Sequence, residues 1–169
     1  AIAIDMRDEH VTVSDFFPEW TNQDSPRPRV NVSTKQEAVW LLEDDTNSVR
    51  DVGYVFSDIN YLCLNTDNDC GHLFKADYQV EEVTIRDTVI EGNWNNPITL
   101  LRSGPIANGH HDTWLIEQVS IYDAKSFSDT RAYGFLGSAS NLVIKESYFE
   151  GNGRGNTNFG NNIFIPNAG

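Results

Sequence analysis

The sequence has no apolar stretch long enough to cross a membrane, and it has few basic residues. A membrane-spanning helix needs about 20 consecutive, mainly apolar residues, and no segment of this sequence approaches that length. Lysine and arginine together number 12 against 25 aspartates and glutamates, which gives a formal net charge of -13. A surface of this charge repels phosphate backbones and anionic lipid. We therefore expect neither nucleic-acid binding nor membrane insertion.

Cysteine is also scarce. Cys63 and Cys70 are the 2 cysteines of the chain, and their spacing leaves two alternatives open: a small disulfide loop, or two reduced thiols of which one lies in the core. No signal peptide is recognisable at residues 1–4, so we expect either a mature secreted chain or a piece of a longer protein. A chain of 169 residues suffices for one domain with a core and is too short for two.

What the sequence does contain is a recurring strand pattern. Each copy has apolar residues at its first position, two residues on and seven residues on. The copies start at Val11, Tyr54, Val83, Trp114 and Leu142. Apolar residues at alternate positions indicate strands. Strands that recur without helical periodicity between them favour stacked coils over a βαβ fold.

Two further columns of residues follow from this alignment. The third position after each start reads Ser14, Ser57, Arg86, Glu117, Lys145. The charges in the last three alternate, which suits neighbouring rungs of one sheet. The fourth position reads Asp15, Asp58, Asp87, Gln118, Glu146, and we interpret it as a row of corner residues that accept hydrogen bonds, rather than as a row for cation binding or acid–base work.

A second strand precedes most copies of the pattern, at residues 72–77, 98–101 and 133–136. At the beginning of the chain, Ile4 stands seven residues before Val11, as Ala76 stands seven before Val83. This shared spacing predicts that Ile4 aligns with Ala76. In the first copy of the pattern, Pro18 takes the seventh position.

These patterns predict an all-β protein, a right-handed parallel β-helix (β-solenoid) with about five to six coils and open ends. We expect a single β-helix domain over residues 1–169, with an irregular insertion at about 18–51 and a long loop at about 102–113. Residues 34–42, inside the insertion, have the composition of a short helix.

Residues 83–93 and 142–152 resemble the coil repeat of the pectate-lyase-like superfamily of right-handed parallel β-helix proteins. The resemblance implies the architecture, and it adds polysaccharide-active proteins to the functions to be considered. Enzymes and non-enzymes share this repeat. Residues 65–72 also echo motifs of polygalacturonases, but in a compressed order that transfers no catalytic role. We therefore predict no catalytic residue; if the chain is an enzyme, we expect a polysaccharide lyase or a glycoside hydrolase.

Two ligand sites are predicted from local composition. Asn65, Asp67 and Asp69 present oxygen atoms at alternate positions, as a calcium-binding loop does; the alternative is a turn rich in Asn and Asp. Trp94 and Asn95 combine an aromatic face with an amide, which suits stacking on a sugar ring; the alternative is a tryptophan that shields a loop.

The two ends of the sequence are apolar strands, and neither has an amphipathic helix to cover it. The residues that we expect to take part in assembly are Ile2, Ile4, Ile163, Phe164 and Ile165. Uncovered ends of a solenoid expose backbone groups and an apolar cross-section. We therefore expect the partners to be copies of the chain, head to tail, or the remainder of a longer β-helix, with polysaccharide as a further candidate. The function that we expect is a secreted structural subunit of an extracellular fibre or appendage; the alternative is a segment of a polysaccharide-active or carbohydrate-binding β-helix protein.

Overall fold

The computed structural model of the chain describes residues 2–5, 11–12, 29–42, 53–76, 80, 82–100, 113–124, 133–137, 139–153 and 162–165. These residues form parallel strands joined by turns and bends, and they include no helix. Consequently no helix in this part of the chain is long and apolar enough to pass through a bilayer. The predicted all-β, parallel β-solenoid class is confirmed.

The strands belong to two parallel sheets. The first sheet contains, in spatial order, β1 (Ile2–Asp5), β4 (Ala38–Leu41), β7 (His72–Ala76), β9 (Ile98–Leu100), β11 (Phe135–Gly137) and β14 (Ile163–Phe164). The second contains, in reverse order along the chain, β12 (Asn141–Lys145), β10 (Thr113–Tyr122), β8 (Glu82–Gly92), β5 (Gly53–Ser57) and β2 (Val11–Thr12). Three short strands extend it, namely β3 (Arg29–Val32), β6 (Asn60–Cys63) and β13 (Tyr148–Glu150). The chain alternates between the sheets, so each turn adds a layer to both.

The register of the second sheet is the one that the repeat predicts. Val11 pairs with Tyr54, Tyr54 with Val83, Val83 with Trp114, and Trp114 with Leu142. The positions two residues on form the column Phe56, Ile85, Ile116, Ile144. The positions seven on form the column Tyr61, Ile90, Ile121, Phe149. All five copies of the pattern therefore lie along one axis.

The solenoid has about 3 turns, fewer than the five to six coils predicted. The layers that begin at Tyr54, Val83 and Trp114 carry fully formed apolar columns whose members are buried. The prediction counted each of the five copies of the pattern as a coil, whereas the copies that start at Val11 and Leu142 lie in the outermost layers, at the edges of the second sheet.

Side chains from both sheets meet in one core. The Phe56 ring, from the second sheet, lies 5.2 Å from the Trp40 ring and 4.7 Å from the Phe74 ring, both from the first sheet, between ring centroids. The Tyr61 and Phe74 rings pack edge to face at 5.6 Å. Aromatic pairs at these separations stabilise a core beyond their burial, so the two sheets are joined by aromatic contacts across the solenoid.

The predicted irregular insertion at 18–51 contains two strands of the solenoid, β3 and β4. Val30 of β3 pairs with Tyr61 and so occupies the seventh-position column that the sequence pattern assigned to Pro18; Pro18 itself lies outside the described residues. The sequence pattern fails in the first turn because more residues separate β2 from β3 than separate the corresponding strands of later turns, such as β5 and β6. The helix suggested for residues 34–42 is wrong, because Ala38–Leu41 is a strand with four buried side chains. A short apolar run of this length fits a buried helix or a buried strand equally well.

The alignment predicted for Ile4 is also wrong, by two residues. Ile4 pairs with Trp40, and Trp40 pairs with Phe74, so Ile4 lines up with Phe74 rather than with Ala76. The corner between the sheets contains two residues fewer in the first turn than in the third. The number of residues in a corner can change without changing how the strands pair. Two residues that stand at the same distance before a repeat therefore need not lie in the same column.

The fourth-position column forms a bend in every layer where it is described. Asp58, Asp87, Gln118 and Glu146 have φ values of 60, 51, 53 and 50°, in the left-handed region that Asp and Asn tolerate better than most residues. These are corner residues, as interpreted from the sequence; Asp15 lies outside the described residues. A residue close to this column accepts a hydrogen bond from a main-chain amide of the next layer: Val89 N donates to Asn60 Oδ1 at 3.0 Å.

Candidate functional site

Of the two alternatives for the cysteines, the structure has the disulfide between Cys63 and Cys70. Both half-cystines are buried. The bond closes a corner loop, residues 63–70, that follows β6 and precedes β7.

This disulfide loop is hydrogen-bonded to the layers on both sides. Leu64 N donates to Val32 O at 2.7 Å, and Cys70 O accepts from Gln36 N at 3.0 Å, which joins the loop to the preceding layer. Cys70 N donates to Asn93 O at 2.8 Å, which joins it to the following layer. The loop therefore holds three successive layers in place at one corner.

The oxygens predicted to bind calcium take part in this corner. The Asp69 carboxylate is fully buried; its Oδ1 lies 2.9 Å from Lys35 Nζ and accepts from Gly71 N at 3.0 Å. Asn65 Oδ1 accepts from two main-chain amides, one of them Asp67 N at 3.2 Å. The described residues include no group of three or more His, Cys, Asp or Glu side chains able to hold a metal ion. The contacts are those of a turn rich in Asn and Asp, and the calcium site stays a prediction.

Trp94 does not present a face to solvent. Its side chain is fully buried, and its Nε1 donates to Glu91 O at 2.9 Å. A sugar ring cannot stack on it, so the role predicted for Trp94 does not fit this structure, whereas the alternative of a tryptophan that shields a loop does. Asn95 donates its main-chain amide to Gly71 O at 3.0 Å and so belongs to the same structural corner.

The residues predicted to take part in assembly lie in the outermost layers. We call β12, β13, β14 and Ile165 the C-terminal layer, and β1, β2 and β3 the N-terminal layer. Among the described residues, the exposed large apolar side chains are Leu64, Val143, Tyr148, Ile163, Phe164 and Ile165. All except Leu64 belong to the C-terminal layer.

The apolar columns are incompletely covered at the C-terminal layer. Leu142, Ile144 and Phe149 are partly buried, whereas the residues below them in the same columns, such as Ile116 and Ile121, are fully buried. Within the described residues, β12 and β13 pair with β10 alone, and β14 pairs with β11 alone. One side of this layer therefore has no described strand against it.

One backbone column connects the two predicted assembly regions. In the first sheet it runs through Ile4, Trp40, Phe74, Ile98, Phe135 and Ile163. Ile4 therefore lies at the N-terminal edge and Ile163 at the C-terminal edge of the same column. Ile2 lies in β1 and Phe164 in β14.

The N-terminal layer borders an open depression of about 420 Å³. Its lining is Val30, Asn31, Val32, Ser33, Thr34, Gln36 and Val39. Val30 and Val32 are partly buried, and Arg29 and Asn31 are exposed. This depression is a concave surface at the opposite end of the solenoid from the exposed apolar side chains of the C-terminal layer.

Charged and aromatic groups flank the apolar side chains of the C-terminal layer. Lys145 Nζ lies 2.7 Å from Glu117 Oε1, and this contact raises the pKa of Lys145. The two residues are neighbours in the third-position column, where the sequence predicted alternating charges. Tyr148 donates its hydroxyl to Glu150 Oε2 at 3.0 Å, and this bond raises the pKa of Tyr148. The Tyr148 ring also contacts the Tyr122 ring at 5.7 Å between centroids.

Comparison of the chain with models of protein families, with curated proteins and with solved structures finds no match. The fold places the chain in the class of parallel β-solenoids. Its function is inferred from the geometry of the end layers.

Proposed function

We propose that this protein is a structural β-solenoid subunit whose copies stack end to end into an extracellular fibre or appendage. The observation that carries the proposal is the continuous column from Ile4 to Ile163, which joins two edge strands of the same sheet. A second copy placed at the end of this column continues the sheet with the same parallel pairing.

The exposed apolar side chains support this assembly. Five of them are concentrated in the C-terminal layer, and covering them with another layer removes apolar surface from water at about 25 cal/mol per Å². Edge strands supply hydrogen-bonding groups for a further parallel strand. A head-to-tail contact between identical chains generates a filament when it does not close into a ring, and copies that continue one solenoid axis do not close.

The disulfide supports the extracellular part of the proposal. Disulfides persist in oxidising compartments and are rare in the reducing cytosol. The Cys63–Cys70 bond lies in a corner that joins three layers, so the folded solenoid benefits from an oxidising environment.

Sedimentation velocity over a wide concentration range tests the proposal. The wild-type chain is expected to form species of increasing length. Ile163→Glu puts a charge on the C-terminal layer and is expected to give a monomer. The matched control is Thr84→Glu, because Thr84 lies at an outward position of β8, between β5 and β10 and away from the end layers; it is expected to assemble as wild type does. Circular dichroism verifies that each variant is folded. A wild-type chain that stays monomeric at high concentration contradicts the proposal.

A second candidate function is binding of a polysaccharide, as the resemblance to pectate-lyase-like proteins implies. The observation that favours it is the Tyr122–Tyr148 pair, with the Glu150 carboxylate beside it. Exposed aromatic faces next to hydrogen-bonding groups suit sugar rings. Affinity electrophoresis on acidic and neutral polysaccharides tests it: retardation that Tyr148→Ala removes supports it, and equal mobility on every polysaccharide rejects it.

A further inference from the structure

We infer that each end-to-end junction binds one extended strand of a partner polypeptide, which pairs with β12 and β13 in the second sheet. The partner strand has apolar residues at the positions that align with Leu142, Ile144 and Phe149, and an acidic residue at the position that aligns with Lys145. This inference rests on the proposed function, because it specifies a partner for the same end layers.

The two sheets end at different levels of the solenoid. Within the described residues, the first sheet has six strands, from β1 to β14, whereas the second is five strands deep, from β2 and β3 to β12 and β13. The strand β14 follows β12 and β13 in the chain and extends the first sheet alone. At the C-terminal end, the second sheet therefore stops one strand short of the first.

Stacking in the register of the proposed function turns this difference into a gap. When Ile4 of one copy lies next to Ile163 of the copy before it, β1 follows β14 without interruption. In the second sheet, β2 and β3 of the added copy then lie two strand spacings beyond β12 and β13. Neighbouring strands are about 4.8 Å apart, so the gap of about 9.6 Å has the width that one further strand needs.

The described strands of a second copy do not fill this gap. A copy moved one level closer would bring β2 and β3 next to β12 and β13. Its β1 would then occupy the place that β14 already takes beside β11. The occupant is therefore an additional strand and not an end layer of the assembly itself.

The inward side of the gap is apolar. Leu142, Ile144 and Phe149 are partly buried and pack against the core, whereas Ile116 and Ile121, in the same columns, are fully buried between two layers. The inward residues of an added strand enter these columns, so they need the same apolar character. An open sheet edge binds an extended peptide through main-chain hydrogen bonds, and its alternate side chains give specificity.

The outward side of the gap has charges that select the partner. In the third-position column, Arg86, Glu117 and Lys145 alternate in sign, so an acidic residue continues the alternation. Lys145 is exposed, and its Nζ lies 2.7 Å from Glu117 Oε1; an ammonium group has three donors and can also donate to a carboxylate on its other side. One position further on, Gln118 Nε2 donates to Glu146 Oε2 at 3.0 Å, so an amide side chain suits the next position of the partner.

A fluorescently labelled peptide with the sequence of Thr113–Tyr122 is the probe, because β10 pairs with β12 and β13 in this pattern. Fluorescence anisotropy measures its binding to the wild-type chain, and sedimentation measures association of the chain with and without it. We expect saturable binding and an association constant that rises roughly tenfold with the peptide, because the junction then pairs in both sheets. A peptide with Ile116→Asp and Ile121→Asp is expected not to bind, because charges do not enter the apolar columns.

Charge reversal at Lys145 tests the position of the strand. Lys145→Glu is expected to weaken binding of the peptide about fivefold, and a peptide with Glu117→Arg is expected to restore it. The matched control is Arg86→Glu, which removes a cation from the other side of Glu117 in the same column but inside the solenoid; it is expected to bind the unmodified peptide as wild type does. Circular dichroism verifies that each variant is folded.

The outcomes separate this inference from the proposed function. Binding that follows the charge pattern, together with stronger association, supports a partner strand at the junction. Filaments that do not bind the peptide, or that bind all its versions equally, overturn the partner strand and leave end-to-end stacking standing. A wild-type chain that stays monomeric with and without the peptide overturns both.

Discussion

At the scale of single residues, the buried carboxylate of Asp69 is the most consequential polar group of the disulfide loop. Its side chain is fully buried, while the Lys35 side chain that contacts it is 38% exposed. A carboxylate removed from water is stable only with a cation or hydrogen-bond donors close by. Lys35 and the Gly71 amide supply both kinds of contact.

We predict that Lys35→Met destabilises the protein by about 2–4 kcal/mol, because it removes the cation beside a buried carboxylate. Lys75→Met is the comparison, since it removes an ion pair with Glu37, whose side chain is 53% exposed, and exposed pairs contribute about 0–1 kcal/mol. Urea unfolding measures both. An equal loss of unfolding free energy in the two variants would contradict the prediction, because it would show that the buried Asp69 carboxylate needs its cation no more than an exposed carboxylate does.

The Lys75–Glu37 pair makes a prediction about pH. The hydrogen bond from Lys75, together with its charge, holds the pKa of Glu37 below the ordinary value of 4.5. A lowered folded-state pKa contributes stability that is present above the unfolded-state pKa and is lost as the pH falls through the folded-state pKa. The carboxyl ¹³C titration of Glu37 is expected to show a midpoint below 4.5 in the wild type and a higher midpoint in Lys75→Met. An unchanged midpoint would show that the pair does not form in solution.

At the scale of strands and corners, prediction from sequence succeeded where side chains point inward. Val83, Trp114 and Leu142 align as predicted because burial on both neighbouring layers requires apolar residues at fixed positions. The alignment of Ile4 was missed because corners of different length leave no periodic signal. β3 was missed because the chain before it is longer than in later turns. The exposed apolar side chains Val143 and Tyr148 were missed because outward positions tolerate most residues.

The corner after the disulfide loop requires glycine at position 71, where the backbone φ is 79°. A Cβ atom there would lie 1.7 Å from Gln36 O in the preceding layer. We predict that Gly71→Ala destabilises the protein by at least about 2 kcal/mol, because the left-handed backbone and the clash both oppose it. Hydrogen exchange is expected to show the largest loss of protection at the amides of Gln36 and Cys70. A variant as stable as wild type would contradict this account of the corner.

At the scale of the whole molecule, the columns that form the core are the columns that the proposed end-to-end assembly would extend. Each layer is buried only by the layers next to it, so the C-terminal layer has partly buried residues where inner layers have fully buried ones. Among the described residues, the apolar columns of this layer would be fully buried by one further layer. In the proposed assembly, end-to-end contact therefore uses the same columns as folding.

The most direct measurement is X-ray diffraction from concentrated, aligned samples of the purified protein, with electron microscopy of the same material. The account predicts filaments one solenoid wide and a reflection at about 4.8 Å along the filament axis, because strands of successive copies continue one parallel sheet. Discrete particles of constant length at every concentration would contradict it, as would filaments whose 4.8 Å spacing lies across the axis.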